Sequence, residues 1–208
     1  MEKAIVGIFV LSLLLVPSLL PATSQEPDWR IGSKFTYVQT GGNQSVETTR
    51  TVQKSELVNN HWCWKVEVKA QDAVSYTWYD KDTLGVWKIS QEIYGIAIVS
   101  TFSPQPANKI LPIGDRSYDT KMKMEMMGQP IEANVAYKIT NKGSETVTVP
   151  AGRFTAYHLV IEQTTTMQGQ EMTTTMEVWY STKVSNTVKE TQELMGSIIT
   201  MELKSYKL

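Results

Sequence analysis

The stretch Ile131-Glu132-Ala133-Asn134-Val135-Ala136-Tyr137-Lys138-Ile139-Thr140 decides the fold. Ile131, Ala133, Val135, Tyr137 and Ile139 fall at every second position, and mostly polar residues fill the gaps. That period of two belongs to a strand with one dry face and one wet face; a helix would need its apolar residues 3.6 apart. The same pattern recurs outward in both directions. Trp62, Trp64, Val66 and Val68 alternate with Cys63, Lys65, Glu67 and Lys69; Val74, Tyr76 and Trp78 alternate with Ser75, Thr77 and Tyr79; Met122, Met124 and Met126 alternate with Lys121, Lys123 and Glu125.

Turn residues separate these runs at hairpin spacing: Gly41-Gly42-Asn43, Asn59-Asn60, Tyr94-Gly95, Gly128-Gln129-Pro130, Asn141-Lys142-Gly143, Gln168-Gly169-Gln170 and Gly196. Threonine, which suits a pleated surface, occurs 24 times. The spacing predicts an all-β chain of about 11–13 antiparallel strands in meander order. One-sided polarity predicts a strongly curved sheet, a half-barrel or barrel, with its apolar face inward. Pro104, Pro106 and Pro112 make Ser103–Tyr118 a connector, since proline cannot donate to a central ladder.

Composition sets the outer limits. The chain has 208 residues, 20 Lys+Arg against 21 Asp+Glu, and a formal net charge of −1. A nucleic-acid partner would need clustered positive charge. An apolar share of 41 % is too high for a disordered chain. The single cysteine rules out an internal disulfide framework and a Cys-rich zinc module. Cys63 reads as a small packed side chain.

The N-terminus reads as an export signal. Met1-Glu2-Lys3 precedes an apolar run from Ala4 to Leu20, and Ala22 and Ser24 suit cleavage before Gln25. Residues 1–24 are therefore expected to form an apolar signal helix, and 25–208 a single β domain. The competing expectation is an uncleaved anchor, although Pro17 interrupts the run. No cysteine near its end is available for lipid attachment. The expected location is secreted or extracytoplasmic, with membrane contact only through this segment if it is retained. Asn43-Gln44-Ser45 is a formal glycosylation acceptor.

The mature chain reads as two similar halves, 25–103 and 104–208. Trp78-Tyr79-Asp80…Val86-Trp87-Lys88 aligns without a gap on Trp179-Tyr180-Ser181…Thr187-Val188-Lys189. Upstream, Ser55-Glu56 matches Ser144-Glu145, the strand led by Trp64 matches the one led by Tyr157, and Ile31-Gly32 matches Ile113-Gly114. The second half is longer, and its extra residues fit in turns, where insertions are tolerated.

Val147-Thr148-Val149-Pro150-Ala151-Gly152-Arg153-Phe154-Thr155-Ala156-Tyr157, then Trp179-Tyr180-Ser181, Val188-Lys189 and Leu203-Lys204-Ser205-Tyr206 form a recognisable series. It resembles a family of exported proteins of unknown function with a VPAG-(T/R)-F-x-(A/C)-Y…WYS…VK…L-x-SY pattern. The resemblance covers Tyr137 to Leu208, and more faintly the first half. It implies a fold related to the lipoprotein-carrier half-barrels and implies no catalytic residues. Ser185-Asn186 departs from it, since the family usually has a glycine before the Val-Lys strand. On physical grounds Pro150 should end a strand, Gly152 allow a corner, and Phe154 and Tyr157 plug the core.

No phosphate-cradling loop, G-x-S-x-G elbow or H-E-x-x-H motif occurs, so catalytic residues are expected to be none. Metal and cofactor are likewise expected to be none; the Met122–Met127 cluster offers soft Cu(I) ligands, but alternate methionines more simply give an adaptable apolar lining. Trp64, Tyr76 and Trp78 are read as sharing the core phase. The expected function is non-enzymatic: a concave face lined by Trp64, Tyr76, Trp78, Met122, Met124, Met126, Tyr137 and Tyr157 holding an apolar ligand such as a lipid acyl chain. The alternative is a structural or adhesive cell-surface module with a packed core. No protein partner is indicated.

Overall fold

The computed structural model describes residues 27–41, 44–194 and 196–208. The expected signal helix and Asn43 lie outside the described residues. Twelve strands are found among the described residues. The first six are β1 (Lys34–Gly41), β2 (Gln44–Val58), β3 (His61–Ala70), β4 (Ala73–Asp80), β5 (Val86–Ile93) and β6 (Ile96–Ser103). The second six are β7 (Arg116–Met126), β8 (Gln129–Val149), β9 (Gly152–Met167), β10 (Gln170–Ser181), β11 (Asn186–Leu194) and β12 (Ser197–Lys207). Each pairs antiparallel with the next, and β1 pairs with β12 from Lys34↔Lys207 to Gly41↔Ile199, so the meander closes into a barrel. Closure leaves no open edge strand, the usual liability of a sheet.

The deciding stretch lies within β8. Ala133, Val135, Tyr137 and Ile139 are buried, Ile131 is half-buried, and Glu132, Asn134, Ala136 and Lys138 are exposed. Tyr137 stacks on Tyr118 of β7 with ring centroids 4.9 Å apart. Phe35, Tyr37, Leu159, Ile161, Tyr180 and Leu203 join it in one continuous core.

One end of the barrel is plugged. Trp29, ahead of β1, donates its indole N–H to Ser185 O at 2.8 Å. The proline-rich connector between β6 and β7 sends Ala107, Ile110 and Leu111 into the core beside Leu84. Ala107 and Val86 exchange backbone hydrogen bonds of 2.7 and 2.8 Å. At Gly85 an added Cβ would sit 2.9 Å from Pro106 and 2.8 Å from Lys109 side-chain carbons, so the connector can come this close only over a glycine.

Strands β1–β6 and β7–β12 repeat one register. Ser55 faces Trp64 and Trp64 faces Tyr79; Ser144 faces Tyr157 and Tyr157 faces Tyr180. The ladder slips after Trp78 between β4 and β5, and after Trp179 between β10 and β11. It also slips between Val52 and Lys54 of β2 and between Asn141 and Ser144 of β8. Residues matched in the two halves by sequence thus occupy matching ladder positions, bulges included.

Candidate functional site

A cavity of about 190 Å³ lies inside the barrel beside the plug. Arg50 reaches it from β2. Its cross-strand partners are Phe35 and Val68, both in or against the core, so register turns its guanidinium inward. Glu190 of β11 faces Val178 and Met201, both core residues, and is turned inward in the same way. Asn108 comes from the connector and Asn186 from the start of β11. Trp29 and Tyr79, with rings 5.5 Å apart edge to face, form an aromatic wall.

The polar groups here are under-used. The Arg50 guanidinium lies 4.8 Å from the Tyr37 ring centroid and donates to Met201 Sδ at 3.4 Å, a weak acceptor. Arg50 Nε, Asn186 Nδ2 and Asn108 Oδ1 are buried and lack any partner. No carboxylate among the described residues lies within 4.0 Å of Arg50. Burial holds the Glu190 carboxyl above its ordinary range, with the Arg50 charge opposing it. Arg50, Asn186 and Asn108 thus line the cavity beside the Glu190 carboxyl group, each with one buried polar atom left unpaired: two donors and one acceptor. An unpaired buried polar atom typically costs about 1–3 kcal/mol, which is why buried polar groups are normally satisfied by protein, water or ligand.

The sequence-expected residues divide between two faces. Met122, Met124 and Met126 share the inner face with Phe102, Ser100 and Ile98 and are half-buried. Tyr137 is buried in the core, and Trp64 and Tyr157 pack against it. Tyr76 and Trp78 do not join them. Trp78 is the cross-strand partner of Lys65 and Lys88, while Trp64 is the partner of Tyr79, so Trp78 and Trp64 stand on opposite faces. Outside the barrel wall Trp78, Trp87 and Cys63 form a second, smaller cluster against which Tyr76 packs. The expectation that Trp64, Tyr76 and Trp78 share one phase is thereby corrected: β4 turns its apolar stripe of Val74, Tyr76 and Trp78 outward and Ser75, Thr77 and Tyr79 inward, and alternation alone does not say which face turns in.

The outer face carries the same arrangement twice. Trp78 Nε1 donates to Glu56 Oε1, with Lys65 Nζ 5.0 Å and Lys88 Nζ 4.7 Å from its ring. Trp179 Nε1 donates to Glu145 Oε1 at 2.5 Å, with Lys189 Nζ 5.2 Å away and the His158 ring stacked at 4.5 Å. His158 also meets Glu177 at 3.1 Å. Cation–π contact and the indole hydrogen bond seat each tryptophan against the wall. Among the described residues no three His, Cys, Asp or Glu side chains are grouped to hold a metal ion.

Arg50, Glu190, Asn108 and Asn186 were not singled out from sequence. Arg50 sits between Thr49 and Thr51 and Glu190 between Lys189 and Thr191, so neither local pattern shows an inward charge. An inward register between apolar partners is the signal that finds them, and it exists only once the strands are paired.

Two solved structures share the architecture. The hypothetical lipoprotein YmcC from Escherichia coli K12 matches with a TM-score of 0.53 at 11 % identity, over 82 % of this chain and 83 % of that one. A candidate lipoprotein from Parabacteroides distasonis ATCC 8503 matches with a TM-score of 0.51 at 14 % identity, over 88 % and 98 %. At these identities the likeness shows the fold alone. No curated protein matches by sequence. Residues 89–200, more than half of the chain, match the DUF3108-like family model, and the chain belongs to that family.

Proposed function

We propose that this chain is an exported, non-enzymatic barrel that encloses a small ligand beside its plugged end. One observation carries the reading: three residues that line the interior cavity, Arg50, Asn186 and Asn108, each hold a buried polar atom (Nε, Nδ2 and Oδ1) without a partner. Three of the five buried, unpartnered polar side-chain atoms found among the described residues belong to residues that line this cavity. Export rests on the reading of the first 24 residues. The two similar structures, each described as a lipoprotein, fit such a location.

A bare acyl chain is a poorer occupant of this cavity than the lining first implied, because it would leave all three polar atoms unpaired. Met176, Val178 and Ile110, which also line the cavity, suit an apolar portion of the same ligand. Native mass spectrometry of protein recovered from an exporting host tests the reading. A retained small molecule lost on unfolding supports it. A bare polypeptide mass, together with a crystal structure showing only water in the cavity, would instead favour a structural or adhesive module.

A further inference from the structure

We propose that the cavity recognises a small zwitterion, an oxyanion close to an ammonium group. The inference rests on the enclosed-ligand reading and adds its chemistry. Arg50 is a permanent cation with an unused Nε–H and no carboxylate at ion-pair distance among the described residues. Asn186 adds a second free donor, its Nδ2. Two donors, one of them charged, make a seat for an oxyanion.

The same cavity contains the complement. Glu190 enters it from β11, and Asn108 contributes a free acceptor, Oδ1. Trp29 and Tyr79 border it, and aromatic faces attract an ammonium group. Arg50 and Glu190 line one space without touching, so each would gain its missing partner from a molecule that spans them. An anion alone would leave Glu190 unmatched. A cation alone would leave Arg50 unmatched. A hydrocarbon would satisfy neither. About 190 Å³ sets the scale of what fits between them. A free zwitterion and a zwitterionic lipid headgroup share this chemistry.

Isothermal titration calorimetry of the intact protein, stripped of ligand by refolding, tests the proposal with three probes: glycerophosphoethanolamine, glycine and octanoate. Binding of glycerophosphoethanolamine alone supports the lipid-headgroup source. Binding of glycine supports a free zwitterion. In either case Glu190→Gln and Arg50→Gln should each weaken the zwitterion about 10- to 100-fold, the usual effect of losing a hydrogen bond to a charged group. Both variants must first show the wild-type circular dichroism and a cooperative melt. If Arg50→Gln does not fold, Glu190→Gln, which keeps size and hydrogen-bonding capacity, carries the test. Octanoate binding without either zwitterion overturns this inference and leaves the enclosed-ligand reading standing. No binding of any probe, with a bare native mass, overturns both.

Discussion

At the scale of single residues, the paired tryptophans have the clearest consequences. Trp78 and Trp179 each donate an indole N–H to a glutamate on the outer face. Glu145 is half exposed, so the bond is screened, and Trp179→Phe should cost about 1 kcal/mol, read from urea midpoints. Glu56 adds a pH signature. Its carboxyl is held below the ordinary range, first by the Lys54 hydrogen bond and then by Trp78. A depressed carboxyl stabilises the fold above its unfolded pKa and loses that contribution as pH falls through the folded value. The deficit of Trp78→Phe against wild type should therefore be full near neutrality and shrink as the urea midpoints are followed from about pH 5 toward pH 2. Cys63 is fully buried, and burial, with Asp80 adding to it, pushes its thiol up to about 12. A thiol held protonated and out of solvent is a poor nucleophile, so Ellman's reagent should titrate none of it at neutral pH and one equivalent in urea. Rapid labelling of the native protein would contradict the packed position.

At the scale of strands and turns, close approach at Gly85 makes the sharpest prediction. Any side chain there pushes against Pro106 and Lys109, which anchor the connector over the end of the barrel. Gly85→Ala should cost about 1–3 kcal/mol by overpacking, measured by thermal or urea unfolding, and should loosen protection of the Ala107 and Val86 amides in hydrogen exchange. At this scale the sequence was informative in proportion to how local the signal is. Alternation in Ile131–Thr140 stated the strand, and the Asn and Gly pairs stated the hairpins, because strand period and turn dihedrals are set by neighbours in the chain. The match of Trp78-Tyr79 to Trp179-Tyr180 reached further, since both pairs straddle the same ladder slip. The departure at Ser185 is explained by the backbone: its φ is +48°, in the left-handed region where glycine is easiest, and Leu84 at the matching place in the first half has φ +55°. Facing was not legible for Tyr76 and Trp78, because β4 turns its apolar stripe outward to meet Trp87 and Cys63 and its Ser75 and Thr77 inward. The cavity was not legible at all. Arg50, Asn108, Asn186 and Glu190 are brought together by closure of the barrel, and nothing in their immediate neighbours records that.

At the scale of the whole molecule, closure and the cavity pull against each other. A twelve-strand barrel encloses more space than its own side chains fill, and here the connector, Trp29 and Leu84 take up part of it at one end. What remains open is lined in part by polar groups without partners, and that carries a stability cost in the empty protein. Burial raises the Glu190 carboxyl pKa more than Arg50 lowers it, so the fold disfavours its charged form. A carboxyl raised in the folded state contributes stability fully present below its unfolded pKa and lost as pH rises through the folded value. Glu190 thus acts opposite to Glu56: one favours the fold in mild acid, the other near neutrality. Glu190→Gln removes the buried charge without changing the volume. It should stabilise the ligand-free protein at neutral pH by an amount on the order of 1 kcal/mol, read as a raised melting temperature, and flatten the decline of that temperature from acid to neutral pH. Differential scanning calorimetry across that range measures both. A residue whose neutral replacement stabilises the empty barrel while weakening a bound zwitterion is retained for what it binds, the usual exchange of stability for a site. If Glu190→Gln instead lowers the melting temperature at neutral pH, its carboxylate is serving Arg50 across the cavity as a structural counter-charge, and the space between them is architecture rather than a seat for a ligand.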